Sequence, residues 1–261
     1  MIDLHNHILI GVDDGPETFE ESLALLKQAR DEGITHIVAT PHHLHPNWDT
    51  PTSVVRKKVD ELMEYPEVKA LGIEILLGQE IRLKDHLFEG LEQGTAIGLN
   101  KSNYVLIELP SSHVPSSTKQ IIFELQRKSY IPIIAHPERN KAIANDLSIL
   151  YELVNAGALA QLTSTTLNGD MGKKTQKLSI QMIEHNLVHF VASDAHHSET
   201  RPFIMKSLFT NKNLKNIQDE IKRLLNNAEV IVNNDKLNKN RPEEPRVKKR
   251  FFGLFQRKDE L

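Results

Sequence analysis

The sequence predicts an α/β fold in which seven parallel strands, with the helices between them, close into one distorted barrel. Short apolar runs rich in Ile and Val recur at intervals of roughly thirty residues, the length of a strand–helix unit. Helical periodicity fills the intervals, and six of the seven runs contribute a His, Asp or Glu where they end. The runs lie near residues 1–5, 34–40, 73–79, 104–109, 131–135, 158–163 and 188–193.

The strand predictions rest on the continuity of each apolar run. Parallel strands that are covered on both faces read as unbroken apolar segments, as these do. Strands that alternate with helices also favour a parallel sheet, because parallel neighbours need a crossover between them. No internal sequence repeat accompanies the rhythm, so a solenoid is not predicted.

The helix predictions rest on apolar residues spaced three and four apart. Residues 17–32 show this spacing, and Gly33 directly after them is a typical helix terminator. Residues 116–129 repeat the pattern. Residues 202–226 are also predicted to be helical and to pack outside the barrel.

The polar residues at the strand ends distinguish a barrel from an open sheet. An open α/β sheet gathers its site at one switch point, whereas a closed ring lets many strands contribute to a site at its C-terminal mouth. Here six of seven predicted strands contribute. We therefore predict a distorted, TIM-like (β/α) barrel with its site at that mouth.

The domain organisation follows from length and composition. A chain of 261 residues, 39% of them hydrophobic, can bury one substantial core. We predict a catalytic domain over residues 1–232 and a flexible tail over residues 233–261, where the composition shifts to Asn, Lys, Pro and Arg. Residues 246–258 contain six basic residues, no acid and several Phe. Two interpretations remain open for them: a solvated terminus, or a contact with an anionic membrane or an acidic partner.

Charge and cysteine content exclude several functions. The formal net charge of −3 gives no overall field that would recruit nucleic acid. The chain has no cysteine, which excludes disulfides, thiolate zinc sites and a cysteine nucleophile. No apolar run approaches the ~20 residues of a membrane span, and the first residues lack a signal-peptide pattern. We therefore expect a cytoplasmic protein.

The strand ends carry residues that can bind metal ions. Residues two apart on a strand point the same way, so His5 and His7 aim at one point, as do Asp194 and His196. Nine candidate ligands exceed the needs of one ion but suit two or three divalent ions, and nitrogen and oxygen ligands without sulfur suit Mn, Fe or Zn. The candidates are His5, His7, Asp14, His42, Glu80, Glu108, His136, Asp194 and His196.

Several candidates also have a simpler interpretation. His5 and His7 could be an ordinary strand pair, and Glu80 and Glu108 could be exposed loop carboxylates. Asp14 lies in a sequence typical of a turn before a helix cap. The remaining histidines exceed what three ions need: we treat His43, His45, His113 and His197 as substrate-side or solvated, and His36, His86, His185 and His189 as structural.

Several motifs in order resemble the PHP (polymerase and histidinol phosphatase) superfamily, and within it the manganese-dependent protein-tyrosine phosphatases of bacterial capsule and exopolysaccharide operons. The similarity runs along nearly the whole chain. The motifs are Asp3-Leu4-His5-Asn6-His7, Asp13-Asp14-Gly15, Thr40-Pro41-His42-His43, Gly78-Gln79-Glu80, Ile107-Glu108, His136-Pro137-Glu138-Arg139-Asn140, and Ser193-Asp194-Ala195-His196 with Arg201-Pro202.

The resemblance implies a PHP fold, three Mn²⁺ ions and a phosphotyrosine protein as substrate, in particular the tyrosine-rich tail of a bacterial tyrosine kinase. It also implies that Arg139 and Arg201 bind the phosphate. The implied ligand sets are His5, His7, Glu80 and Asp194 for one ion, Glu80, Glu108 and His136 for a second, and Asp14, His42 and His196 for a third.

Charge counting gives independent support for a phosphatase. Three divalent ions carry six positive charges, four carboxylates cancel four of them, and the site should attract a phosphate. A tyrosyl phosphate releases a phenolate with a reference pKa of about 10, which needs less protonation than an alkoxide. His43, Glu138 and a water molecule remain open as general acid. Trp48 could contact the phosphotyrosine ring or merely rim the barrel.

Two other functions remain open at this point. One is a small-molecule phosphoesterase of the histidinol-phosphate type, although that branch usually has further histidine near Asp13-Asp14-Gly15. The other is a metal-stabilised binding subunit without catalysis, against which Arg139 and Arg201 argue.

Overall fold

The computed structural model describes residues 1–84 and 86–245, and within them it contains nine short strands. The strands are β1 (Ile2–Asp3), β2 (His36–Ala39), β3 (His42–His43), β4 (Glu74–Leu77), β5 (Glu80–Arg82), β6 (Tyr104–Glu108), β7 (Ile131–Ala135), β8 (Leu159–Thr163) and β9 (Phe190–Ala192).

Helices connect and cover the strands. The α-helices are α1 (Phe19–Asp31), α2 (Thr52–Glu64), α3 (Pro66–Lys69), α4 (Leu87–Gln93), α5 (Thr118–Arg127), α6 (Lys141–Asn145), α7 (Ser148–Asn155), α8 (Ser164–Asn168), α9 (Lys173–Glu184), α10 (Ser207–Thr210), α11 (Gln218–Asn226) and α12 (Ala228–Val232). Three 3₁₀ helices cover Leu99–Lys101, Pro137–Arg139 and Lys212–Ile217.

The strands form two sheets in which every pair is parallel. One sheet has the order β1-β2-β4 and the other β3-β5-β6-β7-β8-β9. A further parallel bridge pairs Asn6, after β1, with Ala195, after β9. The predicted α/β class with parallel strands is confirmed.

The strand count differs from the prediction because two predicted strands are followed by a second short one. β2 and β3 are separated by Thr40-Pro41, and proline has no N–H to donate to a ladder. β4 and β5 are separated by Gly78-Gln79. The Gln79 side chain donates to the Thr50 carbonyl (2.7 Å) and accepts from the Ile97 N–H (2.7 Å), so it connects two neighbouring loops.

Two predicted helices agree with the structure, and a third predicted segment is mostly helical but interrupted. α1 begins after a capping box in which the Thr18 hydroxyl accepts from the Glu21 N–H and the Glu21 carboxylate accepts from the Thr18 N–H, and the chain turns at Gly33 with φ +84°. α5 lies within the predicted segment 116–129. The segment 202–226 instead holds α10, a 3₁₀ helix and α11, because Asn211 caps a new turn and donates to Asn168.

The core lies between the strands and the helices. All five residues of β6 and all five of β8 are buried, and α11 adds Ile221, Leu224 and Leu225. Covering both faces of the strands leaves the strand ends as the place where polar groups can gather. The site described below lies there.

Residues 233–245 run along the domain. Leu237 is buried, Tyr104 donates its hydroxyl hydrogen to the Asp235 carbonyl (2.7 Å), and Glu243 N–H donates to the His185 carbonyl (2.8 Å). The boundary at residue 233 stays a prediction, and the basic stretch 246–258 lies outside the described residues. Within residues 1–84 and 86–245, no helix has both the length and the apolar character that crossing a bilayer requires.

Candidate metal centre

All nine candidate ligands lie together at the carboxyl ends of the strands. Parallel strands end at one edge, so residues far apart in sequence meet there. Their positions are His5 and His7 after β1, Asp14 before α1, His42 at the start of β3, Glu80 at the start of β5, Glu108 at the end of β6, His136 after β7, and Asp194 and His196 after β9.

Glu80 is the centre of the cluster. It is fully buried, and its Oε2 lies 3.3 Å from His5 Nε2, 3.4 Å from His7 Nε2 and 3.0 Å from His42 Nδ1. Its Oε1 lies 2.7 Å from His136 Nε2. A carboxylate with four imidazoles around it supplies donor atoms that could hold a cation.

Asp194 occupies the opposite side of the same imidazoles. Its Oδ1 lies 3.3 Å from His5 Nε2 and 3.5 Å from His7 Nε2. Its Oδ2 accepts from Arg201 (2.8 Å) and from Arg139. The two arginines singled out by the sequence therefore converge on one carboxylate at the edge of the cluster.

Asp14 forms a third grouping on the more open side. Its Oδ1 lies 3.4 Å from His42 Nε2 and 3.3 Å from His196 Nε2, and Arg201 approaches its Oδ2 at 3.6 Å. The His196 ring stacks on the His7 ring with 3.7 Å between centroids. The turn interpretation of Asp14 and its place in the cluster coexist.

Two residues of the cluster have unusual backbone conformations. His136 has φ 31° and Asp194 has φ 52°, in the left-handed region that residues other than glycine rarely adopt. Asp194 is held there by its N–H, which donates to the His5 carbonyl (2.7 Å). Such strain persists only where surrounding contacts impose it, and it commonly marks functional sites.

The donor atoms fit divalent cations. Within the described residues, four sets of donor atoms lie close enough together to hold an ion, and four buried donor atoms lack a hydrogen-bond partner: His42 Nδ1, Glu80 Oε2, Glu108 Oε2 and His196 Nε2. His42 Nδ1 and Glu80 Oε2 are 3.0 Å apart but do not have hydrogen-bond geometry. Unpaired buried polar atoms are costly, and bound cations would offset that cost. The sets are His7, Asp14, His42 and His196; His5, His7 and Glu80; His5, His136 and Asp194; and His42, Glu80 and Glu108.

Asp13 and Gln161 contact the Nδ1 atoms of two candidate ligands, His7 and His5. Neither residue was predicted from the sequence. Asp13 Oδ2 lies 2.7 Å from His7 Nδ1 and accepts from the His42 N–H at 3.0 Å. Gln161 Oε1 lies 2.8 Å from His5 Nδ1. These contacts fix the ring orientations so that each Nε2 faces the cluster. The available signal was Asp13 beside Asp14, and a glutamine inside the apolar run 158–163.

Two further polar contacts support the site. Arg82 lies 2.8 Å from Glu108 Oε1 and fixes that carboxylate. Asp3 accepts from the Ser193 N–H (2.7 Å) and from Asn6 Nδ2 (2.8 Å), which joins the chain after β1 to the chain after β9. Burial outweighs these hydrogen bonds and raises the pKa of Asp3 to about 6.

The charges within the cluster stabilise one another. Burial alone would raise the pKa of Glu80, but the surrounding imidazoles, His5 foremost, hold it well below its usual range. Burial of Asp194 is likewise outweighed by Arg139, so its pKa is also well below the usual value. Burial opposes protonation of His42, yet Glu80 raises its pKa to about 9. Glu80 and Asp194 are therefore ionised and can bind cations.

A cavity of about 290 Å³ opens over the cluster, and aromatic rings form one of its walls. His45 stacks on His42 with 4.7 Å between centroids, and Trp48 stacks on both rings, at 4.7 Å from His45 and 5.4 Å from His42. The Leu44 N–H donates to Asp49 Oδ1 at 3.0 Å, which closes this loop. Arg139 and Arg201 also line the cavity.

The two side chains considered as general acids have other partners. His43 Nδ1 lies 2.9 Å from Asp49 Oδ1, although the two atoms do not have hydrogen-bond geometry. Glu138 is buried and its Oε1 accepts from the Thr163 N–H (3.0 Å) and the Thr166 hydroxyl (2.7 Å). Both therefore have structural contacts, and His45 is the additional histidine that lines the cavity.

Known proteins are similar to this sequence over nearly all of its length. A sequence model of the capsular polysaccharide synthesis family CpsB/CapC matches residues 1–233. The chain belongs to the CpsB/CapC family. It is 47% identical to CapC of Staphylococcus aureus over 98% of this chain and 100% of that protein, and 38% identical to the tyrosine-protein phosphatase YwqE of Bacillus subtilis over the same shares.

Solved structures agree with this membership. A crystal structure from work on YwqE of Bacillus subtilis and CpsB of Streptococcus pneumoniae, described there as metal-dependent tyrosine phosphatases, matches with a TM-score of 0.90 and 37% identity, over 94% of this chain and 100% of that chain. An organophosphorus hydrolase from Deinococcus radiodurans matches over 88% of this chain and 92% of its own, with a TM-score of 0.51 and 13% identity. That second match is a likeness of fold alone.

Proposed function

We propose that this CpsB/CapC-family chain is a manganese-dependent phosphatase that hydrolyses phosphotyrosine on proteins. The observation that carries the proposal is the convergence of nine candidate metal ligands in one cluster, six of which line one cavity together with two arginines. The family relatives YwqE and CpsB, which are named tyrosine-protein phosphatases, support the same reaction. The proposed substrate is the tyrosine-rich tail of a bacterial tyrosine kinase, as the motif resemblance implies.

The proposed centre holds three divalent ions. Glu80 would bridge the first ion, with His5, His7 and Asp194, and the second, with Glu108 and His136. Asp14, His42 and His196 would hold the third. The distances from Glu80, Asp194 and Asp14 to these imidazoles support the assignment. Mixed imidazole and carboxylate ligands without thiolate suit Mn, with Fe and Zn as competitors.

The protein side chains would bind and orient the phosphate. Divalent ions supply Lewis acidity, which polarises the phosphoryl oxygens and acidifies water. Arg139 and Arg201 present planar guanidinium groups that match phosphate oxygens in pairs, and Asp194 keeps both side chains at the cavity. Asp13 and Gln161 keep the His7 and His5 rings in the required tautomers.

The wall formed by His45 and Trp48 would bind the tyrosyl ring. An aromatic face beside a phosphate site favours an aryl phosphate over an alkyl phosphate, because ring stacking contributes about 0.5–1.5 kcal/mol beyond the buried area. The phenolate leaves with little need of a strong acid. His45 is the histidine that lines the cavity without being a candidate metal ligand.

The proposed architecture is a distorted barrel of seven strand segments. β2 with β3 and β4 with β5 would each count as one interrupted segment. The bridge between Asn6 and Ala195 supports closure, since it pairs the first segment with the last. This ring explains why ligands from both ends of the sequence meet at one mouth.

The test compares substrates on protein that has been stripped of metal and reloaded with Mn, Fe or Zn. We expect hydrolysis of a phosphotyrosine peptide that is greatest with Mn, exceeds hydrolysis of histidinol phosphate, and is lost in His136→Ala and Arg139→Ala. A preference for histidinol phosphate would move the protein to the small-molecule reaction. No hydrolysis of either compound with any of the metals would favour the non-catalytic binding subunit.

A further inference from the structure

A second cavity lies beside the candidate active site, on the far side of Arg139. It has a volume of about 510 Å³ and lies between the 3₁₀ helix Pro137–Arg139 with α6 on one side and α9 on the other. Arg139 lines both this cavity, called here the lysine groove, and the cavity over the metal cluster. A chain whose phosphotyrosine enters the active site would therefore pass close to the groove.

The groove combines an apolar floor with a basic rim. Ala144, Met171 and Leu178 supply apolar surface, and Met171 is 52% exposed. Together these side chains give the cavity an apolar surface on which a ring could pack. A methionine sulfur is also a favourable neighbour for an aromatic ring.

Three lysines form the rim. Lys174 and Lys177 are three residues apart on α9 and so share a face, and Lys141 lies at the start of α6 across the groove. All three are exposed, and within residues 1–84 and 86–245 none has a carboxylate within 4.0 Å. Glu138 is the acidic residue among the described residues that line the groove, and its carboxylate accepts hydrogen bonds from Thr163 and Thr166.

We propose that the lysine groove binds a second phosphotyrosine of the same substrate chain. The apolar floor of the groove matches a phenyl ring, and its ammonium groups match a phosphate dianion. A phosphotyrosine side chain therefore fits better than an acidic residue, which has no ring. This inference rests on the proposed phosphatase function and specifies its substrate as a segment with closely spaced phosphotyrosines. Consecutive extended residues advance about 3.3–3.6 Å, so the spacing between the two tyrosines will be selective.

The test uses peptides in which one phosphotyrosine can be hydrolysed. A second position, one to four residues away on either side, carries one of three residues: phosphonodifluoromethyl-phenylalanine, Tyr or Glu. The first of these mimics phosphotyrosine but resists hydrolysis. We expect one spacing at which the phosphonate peptide has a kcat/KM about tenfold above the Tyr and Glu peptides, the size of effect that one net charge-assisted contact gives.

Variants connect the preference to the groove. Lys174→Ala/Lys177→Ala should abolish the preference, whereas Lys173→Ala, an exposed lysine in the same turn but outside the lining, should keep it. Met171→Leu should keep the preference and Met171→Gln should weaken it. The readout is the ratio of kcat/KM between peptides within each variant, which cancels any general loss of activity.

The outcomes separate this proposal from the proposed function. Equal turnover of the phosphonate and Tyr peptides at all spacings, or a preference that survives loss of both lysines, would overturn the groove assignment. Equal enhancement by Glu would show recognition of charge alone and also overturn it. If no peptide is hydrolysed, the phosphatase proposal fails, and fluorescence anisotropy of the same labelled peptides still decides whether the lysines bind the phosphonate.

Discussion

Asp13 connects two candidate ligands although it belongs to none of the four possible ion sets. Its Oδ2 contacts the His7 ring nitrogen and the backbone N–H of His42, and its Oδ1 accepts from the Gly15 N–H. Carboxylates that orient a ligating histidine also raise its basicity. Control of the site at the residue scale therefore extends beyond the ligands.

Asp13→Asn should weaken manganese binding. The amide keeps the shape of the side chain but loses the charge that orients His7, and such changes reduce metal affinity about 10–100-fold. Manganese titration of activity and calorimetry of ion binding would measure the change. Asp60→Asn, at an exposed position on α2, is the control and should bind Mn like the parent. An unchanged affinity in Asp13→Asn would show that the contact does not tune the centre.

Trp48→Ala should reduce hydrolysis of aryl phosphates more than that of alkyl phosphates. Removal of the ring takes away the stacked wall over His42 and His45, and a tyrosyl ring would lose roughly 1 kcal/mol of contact, about fivefold in kcat/KM. Steady-state kinetics with a phosphotyrosine peptide and a phosphoserine peptide would measure it. Equal losses for the two peptides would assign Trp48 a purely structural role, and Trp48→Phe should restore most of the difference.

Single elements are positioned by side chains that join several loops. Asn140, at the start of α6, accepts from the N–H groups of Ala142 and Ile143 and donates to the carbonyls of Pro110 and His113. The same residue caps the helix next to Arg139 and anchors the loop after β6. The position of α6, and with it one wall of the lysine groove, depends on these four bonds.

Asn140→Asp should destabilise the protein while leaving the helix cap intact. The carboxylate still accepts from the two N–H groups, but it cannot donate to the carbonyls of Pro110 and His113, and each lost hydrogen bond costs about 0.5–1.5 kcal/mol. Denaturant unfolding would show a lower midpoint with an unchanged slope. Asn145→Asp, exposed at the end of the same helix, should unfold like the parent.

At the scale of the whole molecule, the cluster of candidate ligands brings together residues from near both ends of the domain. Its side chains come from strands of the six-stranded sheet and from the segments after β1, β7 and β9, so bound ions would cross-link the strand ends. Several buried donor atoms of the cluster lack a hydrogen-bond partner, and bound cations would offset the cost of burying them. Stability and metal content should therefore be linked.

Chelation should lower the melting temperature, and Mn should restore it. Ligands that bind only the folded state stabilise it by RT ln(1 + [L]/Kd), about 2.7 kcal/mol at a hundredfold excess over Kd. Scanning calorimetry at several Mn concentrations would measure the shift. His136→Gln should reduce the increase in melting temperature that Mn produces, because it removes one candidate ligand. A melting temperature that does not depend on Mn would contradict the proposed centre.

Stability should also depend on pH through His189. This buried residue accepts from the Ala160 N–H, and burial lowers its pKa to about 3. Between that value and the ordinary 6.5 the unfolded state binds a proton that the folded state does not. The free energy of unfolding should therefore be complete above pH 6.5 and fall, by at most ~1.4 kcal/mol per pH unit, as the pH decreases through this window.

His189→Asn should reduce that slope. The amide oxygen can replace the ring nitrogen as acceptor for Ala160 and does not titrate. Urea unfolding at several pH values in chelator, compared with the parent and with His86→Asn at an exposed position, isolates this contribution. The same slope in His189→Asn and the parent would contradict the assignment.

The sequence by itself determined which residues could bind metal and the parallel α/β class. His5 and His7, or Asp194 and His196, are close in sequence, so strand periodicity alone aligns them. The apolar runs that carry them are local as well. Capping at Thr18 and Glu21, and the end of α1 at Gly33, follow from the same short-range rules.

Only the tertiary structure decided which side chains meet. The contacts of Gln161 with His5, of Asp13 with His42 and of Arg139 with Asp194 span large sequence separations, which no local pattern encodes. The second short strands β3 and β5 were missed because they depend on pairing with neighbours across the sheet. The lysine groove likewise exists because α6 and α9 lie side by side. Local patterns specify chemistry and periodicity, whereas long-range packing specifies contact, and contact determines the site.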